Sequence, residues 1–187
     1  MSRIQFQEAC ISSEAYWEVE EFERLGLSIA KLPSLKHLIV DNADVFYSHV
    51  DACCSKISHS PTIQKVTFLN VSFHWNTLIS PLLELPNLSS IIFSCCEIDH
   101  PIDFARNLND TSSLSELKFI ACDFNYVSLP EWKQFIQHIK DIESLTSLEF
   151  ACCNFPRHIT KMINQIITSS SNCVVKVVDM VDQTLYD

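Results

Sequence analysis

Apolar residues recur along the chain at fixed offsets. Leu35, Leu38 and Val40 are followed by Ala43 and Val45; Ile63, Val66 and Phe68 by Val71 and Phe73; Leu88, Ile91 and Phe93 by Cys96 and Ile98. Leu114, Leu117 and Phe119 precede Cys122 and Phe124, and Leu145, Leu148 and Phe150 precede Cys153 and Phe155. Each set fills the first, fourth, sixth, ninth and eleventh places of one short stretch. Met1, Ile4, Phe6, Ala9 and Ile11 keep these offsets at the start, and Val175, Val177 and Met180 keep three of them near the end. The stretches open 25 to 34 residues apart. A unit this small cannot bury its apolar face alone, so stacking against its neighbours must supply the core.

The fourth and sixth places alternate as on a strand, with their neighbours pointing the other way. This predicts seven strand cores near residues 3–7, 36–41, 64–69, 89–94, 115–120, 146–151 and 174–178. The segments between them carry helical spacing: Trp132, Phe135, Ile136 and Ile139 share one face, as do Ile159, Met162, Ile163 and Ile166. Ser128-Leu129-Pro130-Glu131 opens the first of these helices with a capping box and an early-turn proline. Asp99-His100-Pro101 opens another, holding Phe104, Ala105 and Leu108. Strands stack about 4.8 Å apart and helices about 8–10 Å apart, so alternating the two bends the stack with its strands inside.

This pattern resembles the leucine-rich-repeat superfamily, closest to its ribonuclease-inhibitor-like and cysteine-containing subtypes. The resemblance covers nearly all of residues 1 to 182 and implies an α/β solenoid. That is a curved horseshoe fragment with a concave parallel sheet of about seven strands and convex helices, forming a single domain over residues 1–187. The chain departs from the family in lacking asparagine at the ninth place, where Ala, Val, Cys or Met stands instead, and in its uneven spacing.

Charge and cysteine content narrow the function. A net charge of −10, with 13 Lys and Arg scattered along the chain, disfavours a nucleic-acid partner. No apolar stretch reaches the ~20 residues that span a bilayer, and the first residues lack a secretory apolar run, so a membrane partner is not expected. Nine cysteines, an odd number in a chain with room for a core, predict free thiols and a reducing cytoplasm.

The adjacent pairs Cys53-Cys54, Cys95-Cys96 and Cys152-Cys153 raise two chemical readings, a metal site and a cysteine-dependent enzyme working from an inter-repeat loop. Neighbouring strand residues face opposite ways, which suits neither a zinc site nor a paired nucleophile, and Cys96, Cys122 and Cys153 already serve as ninth-place core residues. No histidine has motif context: His37 falls on the sheet and His138 on the polar side of its helix. The single glycine, Gly26, cannot make a phosphate-cradling loop. No cofactor, metal or catalysis is expected.

The third, fifth and seventh places of each repeat face outward in three rows. The third-place row reads Arg3, His37, Lys65, Ser90, Glu116, Ser147 and Val174. The fifth reads Gln5, Ile39, Thr67, Ile92, Lys118, Glu149 and Lys176, and the seventh Gln7, Asp41, Leu69, Ser94, Ile120, Ala151 and Val178. Four basic residues against three acidic ones give this face a charge of +1, while much of the acid lies on the first helix in Glu14, Glu18, Glu20, Glu21 and Glu23. Ile39, Leu69, Ile92 and Ile120 put aliphatic groups among the polar ones, as an interface does. The expected role is a scaffold that binds a partner protein through His37, Ile39, Asp41, Lys65, Thr67, Leu69, Ile92, Ser94, Glu116, Lys118, Ile120 and Glu149, together with the adjoining loops. A repeat-type effector of an intracellular pathogen, working by binding a host protein, fits the same features. The strand at 174–178 ends the sheet and offers an edge for self-association.

Overall fold

The computed structural model describes residues 7–12, 18–41, 47–71, 80–98, 101–108, 113–156, 159, 162 and 173–178. Seven five-residue strands form one parallel sheet in chain order: β1 Glu8–Ser12, β2 His37–Asp41, β3 Lys65–Leu69, β4 Ser90–Ser94, β5 Glu116–Ile120, β6 Ser147–Ala151 and β7 Val174–Val178. The helices between them are α1 Val19–Ala30, α2 Tyr47–Ile57, α3 Ser80–Leu83, α4 Pro101–Leu108 and α5 Leu129–Asp141.

Fourth- and sixth-place side chains build the core. From β2 to β6 the pairs Leu38 and Val40, Val66 and Phe68, Ile91 and Phe93, Leu117 and Phe119, and Leu148 and Phe150 are each at most 2% exposed. Because neighbouring strands pair in the same frame, the sixth-place rings fall in a column. Phe68, Phe93, Phe119 and Phe150 stack with centroids 5.2, 5.1 and 5.2 Å apart. From the helical side Trp132 enters among Phe124, Phe135, Phe150 and Phe155. Trp132, Phe135, Ile136 and Ile139 are all buried on α5, as the helical spacing predicted. The capping box forms: the Ser128 amide donates to Glu131 Oε2 (2.9 Å) and the Glu131 amide to Ser128 Oγ (3.4 Å).

The first strand differs from the expectation at residues 3–7. It runs over Glu8–Ser12, with Glu8 opposite His37 and Ile11 opposite Val40. The spacing Met1, Ile4, Phe6 is repeated five residues later by Phe6, Ala9, Ile11, so the apolar pattern satisfied two frames. The adopted frame puts β1 and β2 29 residues apart, within the range of the other repeats. It also lets the Gln7 carbonyl accept the Lys36 and His37 amides, as the Lys36 carbonyl accepts those of Gln64 and Lys65. The ninth- and eleventh-place residues Ala43, Val45 and Phe73, together with Ile163, Ile166 and Met180, lie outside the described residues.

The strands β3 to β6 each end in a turn that holds a left-handed residue. The eighth-place residues Asn70, Cys95, Ala121 and Cys152 have φ of 53, 54, 52 and 55°. Their amides donate to the seventh-place carbonyls of the next repeat: Ser94, Ile120, Ala151 and Val178. Just beyond, the ninth-place thiols of Cys96, Cys122 and Cys153 donate to the Phe68, Phe93 and Phe119 carbonyls at 3.5, 3.4 and 3.2 Å. In these three repeats the thiols satisfy carbonyls of the preceding strand in the absence of asparagine, whereas Val71 fills the same place with an apolar side chain that has no donor.

Candidate functional site

The strand pairing brings the expected surface residues into three rows across β2 to β7, in the frame read from the repeats. Only the first strand changes them, contributing Glu8, Cys10 and Ser12 where Arg3, Gln5 and Gln7 were expected. The face then carries Lys65, Lys118 and Lys176 against Glu8, Asp41, Glu116 and Glu149, one charge negative instead of one positive, with His37 neutral.

Two polar chains cross the sheet. At the β1 end, His37 Nδ1 lies 2.7 Å from Glu8 Oε2 and its Nε2 2.9 Å from Thr67 Oγ1. A neutral ring protonated at Nδ1 meets both, donating to the carboxylate and accepting from the hydroxyl. Asn70 Nδ2 donates to Asp41 Oδ1 at 3.2 Å. At the β7 end, Ser90 Oγ donates to Glu116 Oε2 at 2.7 Å, and Lys118 Nζ lies 2.8 Å from Glu116 Oε1 and 3.6 Å from Glu149 Oε2. Lys176 Nζ completes the chain, 3.6 Å from Glu149 Oε1. The hydrogen bond from Lys118 holds the Glu116 carboxyl below the usual carboxylate range, and the same bond holds the Lys118 ammonium above its usual range. These side chains are partly solvated, so each pair contributes at most about 1 kcal/mol; what the network fixes is the position of the charges.

The aliphatic groups sit lower than expected. Ile39, Leu69, Ile92 and Ile120 are half-buried, because outward side chains on strands about 4.8 Å apart shade one another. The seventh-place row carries no charge from β3 to β7, reading Leu69, Ser94, Ile120, Ala151 and Val178. It thus lies as an uncharged strip beside the charged chain of the third and fifth rows. Sequence reasoning left Glu8, Ser90 and Lys176 out of the candidate set. Ser90 and Lys176 fall on the outward rows of the repeat, whereas the alternative frame hides Glu8. Tyr126, 72% exposed in the loop after β5, had no periodic signal to mark it.

Cys53, Cys96, Cys122 and Cys153 are buried in the core, away from any substrate. Burial pushes Cys53 up to about 12. Burial also raises Cys10, with Asp41 and Glu8 adding to it. Hydrogen bonds to Cys153 and Cys96, then burial, raise Cys122; the bond that does so lowers Cys153, but Cys153 is 2% exposed and out of reach of a substrate. Among the described residues no group of three or more His, Cys, Asp or Glu side chains is arranged to hold a metal ion. Among them, too, no helix is long and apolar enough to cross a membrane.

No protein-family profile matches the chain, and no curated protein does. Among solved structures, the tropomodulin C-terminal domain of Caenorhabditis elegans superposes with a TM-score of 0.55 at 15% identity, over 81% of this chain and 92% of that one. The architecture is a leucine-rich-repeat solenoid. Leiomodin-1 actin-binding site 2 aligns over 87% of this chain and 79% of that one, with a TM-score of 0.42 and 13% identity. At these identities the solenoid shares its fold with tropomodulin, and its residues must supply the function.

Proposed function

We propose that this solenoid is a non-catalytic protein-interaction module of the ribonuclease-inhibitor-like or cysteine-containing subtype, which holds a partner protein on its concave sheet. The observation that carries the reading is the pairing of a fixed charge chain, Ser90, Glu116, Lys118, Glu149 and Lys176, with the uncharged strip beside it. Charges held in place by neighbours give register and specificity, while half-buried aliphatics give up their remaining water to a partner at small conformational cost. The raised thiols and the lack of a histidine in motif context support the absence of catalysis. Cysteine usage supports a cytoplasmic setting, in the chain's own cell or in a host cell.

Size decides how far the site extends. Seven strands about 4.8 Å apart, with three rows about 6.6 Å apart, make a lattice of roughly 400–500 Å². A stable interface takes about 800 Å² from each side. The sheet alone is too small, so the partner also contacts the loops at the strand ends, where Tyr126 stands exposed.

The test compares partner affinity across faces. Ser94→Arg puts a long cation on the uncharged strip and Lys118→Glu reverses the centre of the charge chain; Lys133→Glu on the exposed face of α5 is the control. Cross-linking and affinity capture identify the partner, and titration then measures each variant. The expected result is a loss of tenfold or more for both sheet variants and none for the control. Loss at Lys133 with the sheet variants unaffected would place the binding surface on the convex side.

A further inference from the structure

The two ends of the sheet complement each other. From β1 to β5 the second-place carbonyl accepts two amides of the next repeat: Gln7 from Lys36 and His37, Gln64 from Ser89 and Ser90, Ser115 from Thr146 and Ser147. The Thr146 carbonyl in turn accepts the Val174 amide of β7, and the Cys173 carbonyl is next in the series. Among the described residues no strand lies beyond β7. Val174 is 70% exposed there, and Val175 and Val177 are only partly buried where their counterparts in β6, Leu148 and Phe150, are at most 2% exposed. At the opposite edge β1 presents the other half of the same ladder, with no strand before it among the described residues.

We infer that β7 receives β1 of a second copy of this chain, continuing the parallel sheet head to tail. Extending the frame puts Val174, Lys176 and Val178 opposite Glu8, Cys10 and Ser12 of the incoming strand. Lys176 and Glu8 then become diagonal neighbours about 8 Å apart at the backbone, within reach of their long side chains. Both side chains stand largely in solvent, at 62% and 59% exposed, so Lys176 shared with Glu149 and Glu8 shared with His37 can still turn toward each other across the junction. Lys176 also selects the partner. Pairing β7 antiparallel with another β7 about its centre sets Lys176 against Lys176, whereas β1 brings a carboxylate. The contact joins two different surfaces, so it does not close in a pair and grows with concentration.

Sedimentation of the full chain over a concentration series tests this, with Lys176→Glu, Glu8→Lys and an equimolar mixture of the two. The parent is expected to show a mass that rises continuously with concentration. Either variant alone pairs like charges at the junction and weakens association at least tenfold; the mixture creates opposite-charge junctions of both kinds and returns to within about threefold of the parent. Restoration in the mixture shows that both variants fold. Should Glu8→Lys unfold on losing its contact with His37, Glu8→Gln replaces it and is expected to weaken association by a smaller factor. A parent that stays monomeric at the highest concentration, a closed dimer, or a mixture no more associated than its components would each overturn the head-to-tail junction.

Discussion

Replacing Gly26 with alanine sets helix propensity against the approach of two helices. Gly26 is buried in the middle of α1, and it is the only glycine in the chain. Propensity alone says that alanine should stabilise α1 by about 1 kcal/mol. The structure says otherwise. A Cβ at Gly26 would stand 2.5 Å from the Cys53 carbonyl oxygen, 3.1 Å from the Cys53 carbonyl carbon and 3.0 Å from Lys56 Cβ, all on α2. Ordinary contact is about 3.4 Å or more, and a helix backbone cannot swing aside as a side chain can, so α1 and α2 must separate by roughly 0.5–1 Å. Overpacking of this kind costs about 1–3 kcal/mol, and the move also stretches the 3.3 Å pair between Glu23 and Lys56, which is too exposed to add much. The net expectation is a loss of up to about 2 kcal/mol in place of the gain of about 1 kcal/mol that propensity alone predicts. Urea unfolding followed by circular dichroism measures it, with Ser28→Ala on the exposed face of the same helix as the control, expected to stay within about 0.5 kcal/mol of the parent. A Gly26→Ala protein more stable than the parent by the full ~1 kcal/mol of helix propensity would refute the close approach of α1 to α2.

The left-handed turns make a prediction of opposite sign: Ala121→Gly, at φ 52°, should raise stability by about 0.5–1 kcal/mol, which thermal unfolding would detect. Cys153→Ser should lower it by about 1–2 kcal/mol. The hydroxyl keeps a donor for the Phe119 carbonyl, but on a shorter bond in a buried site. Glu116 gives a pH dependence: its folded value is depressed, so its contribution is complete above the ordinary value of 4.5 and is lost as pH falls through the folded one. Lys118 is raised, so its share persists up to 10.5 and is lost as pH climbs beyond. Glu116→Gln should therefore flatten the acid arm of the stability profile, and an unchanged arm in urea midpoints from pH 3 to 7 would count against the charge chain.

The repeat was legible because one offset pattern had to be met five times, and each copy fixed the next. Leu38 and Val40 alone could belong to many strands; aligned with Val66 and Phe68, they could not be slipped by a residue without turning the core outward. The first strand escaped because it had only one neighbour and a sequence whose apolar spacing repeats after five residues. The left-handed turns escaped for another reason. Asn70 is a familiar signal there, but Cys95, Ala121 and Cys152 are not, since packing imposes the conformation against their preference. Gly26 read as the lack of a phosphate loop, when its role lies in a contact with α2 that no local pattern records. The candidate surface was readable as a set of rows. The links within it, such as Ser90 to Glu116, depend on side chains from different repeats and needed the structure.

The chain carries its own ruler for the central claim, that the third, fifth and seventh rows face outward on a repeat solenoid. At Cys95-Cys96 and again at Cys152-Cys153, the first residue is exposed and the second is buried. Brief alkylation of the native protein at neutral pH, followed by peptide mass spectrometry, reads each site separately. The account predicts that Cys95 and Cys152 are modified while Cys96, Cys122 and Cys153 stay protected until denaturant is added. Protection of Cys95 and Cys152 with modification of Cys96 and Cys153 would contradict the register of the repeats, and with it the surface assigned to the partner.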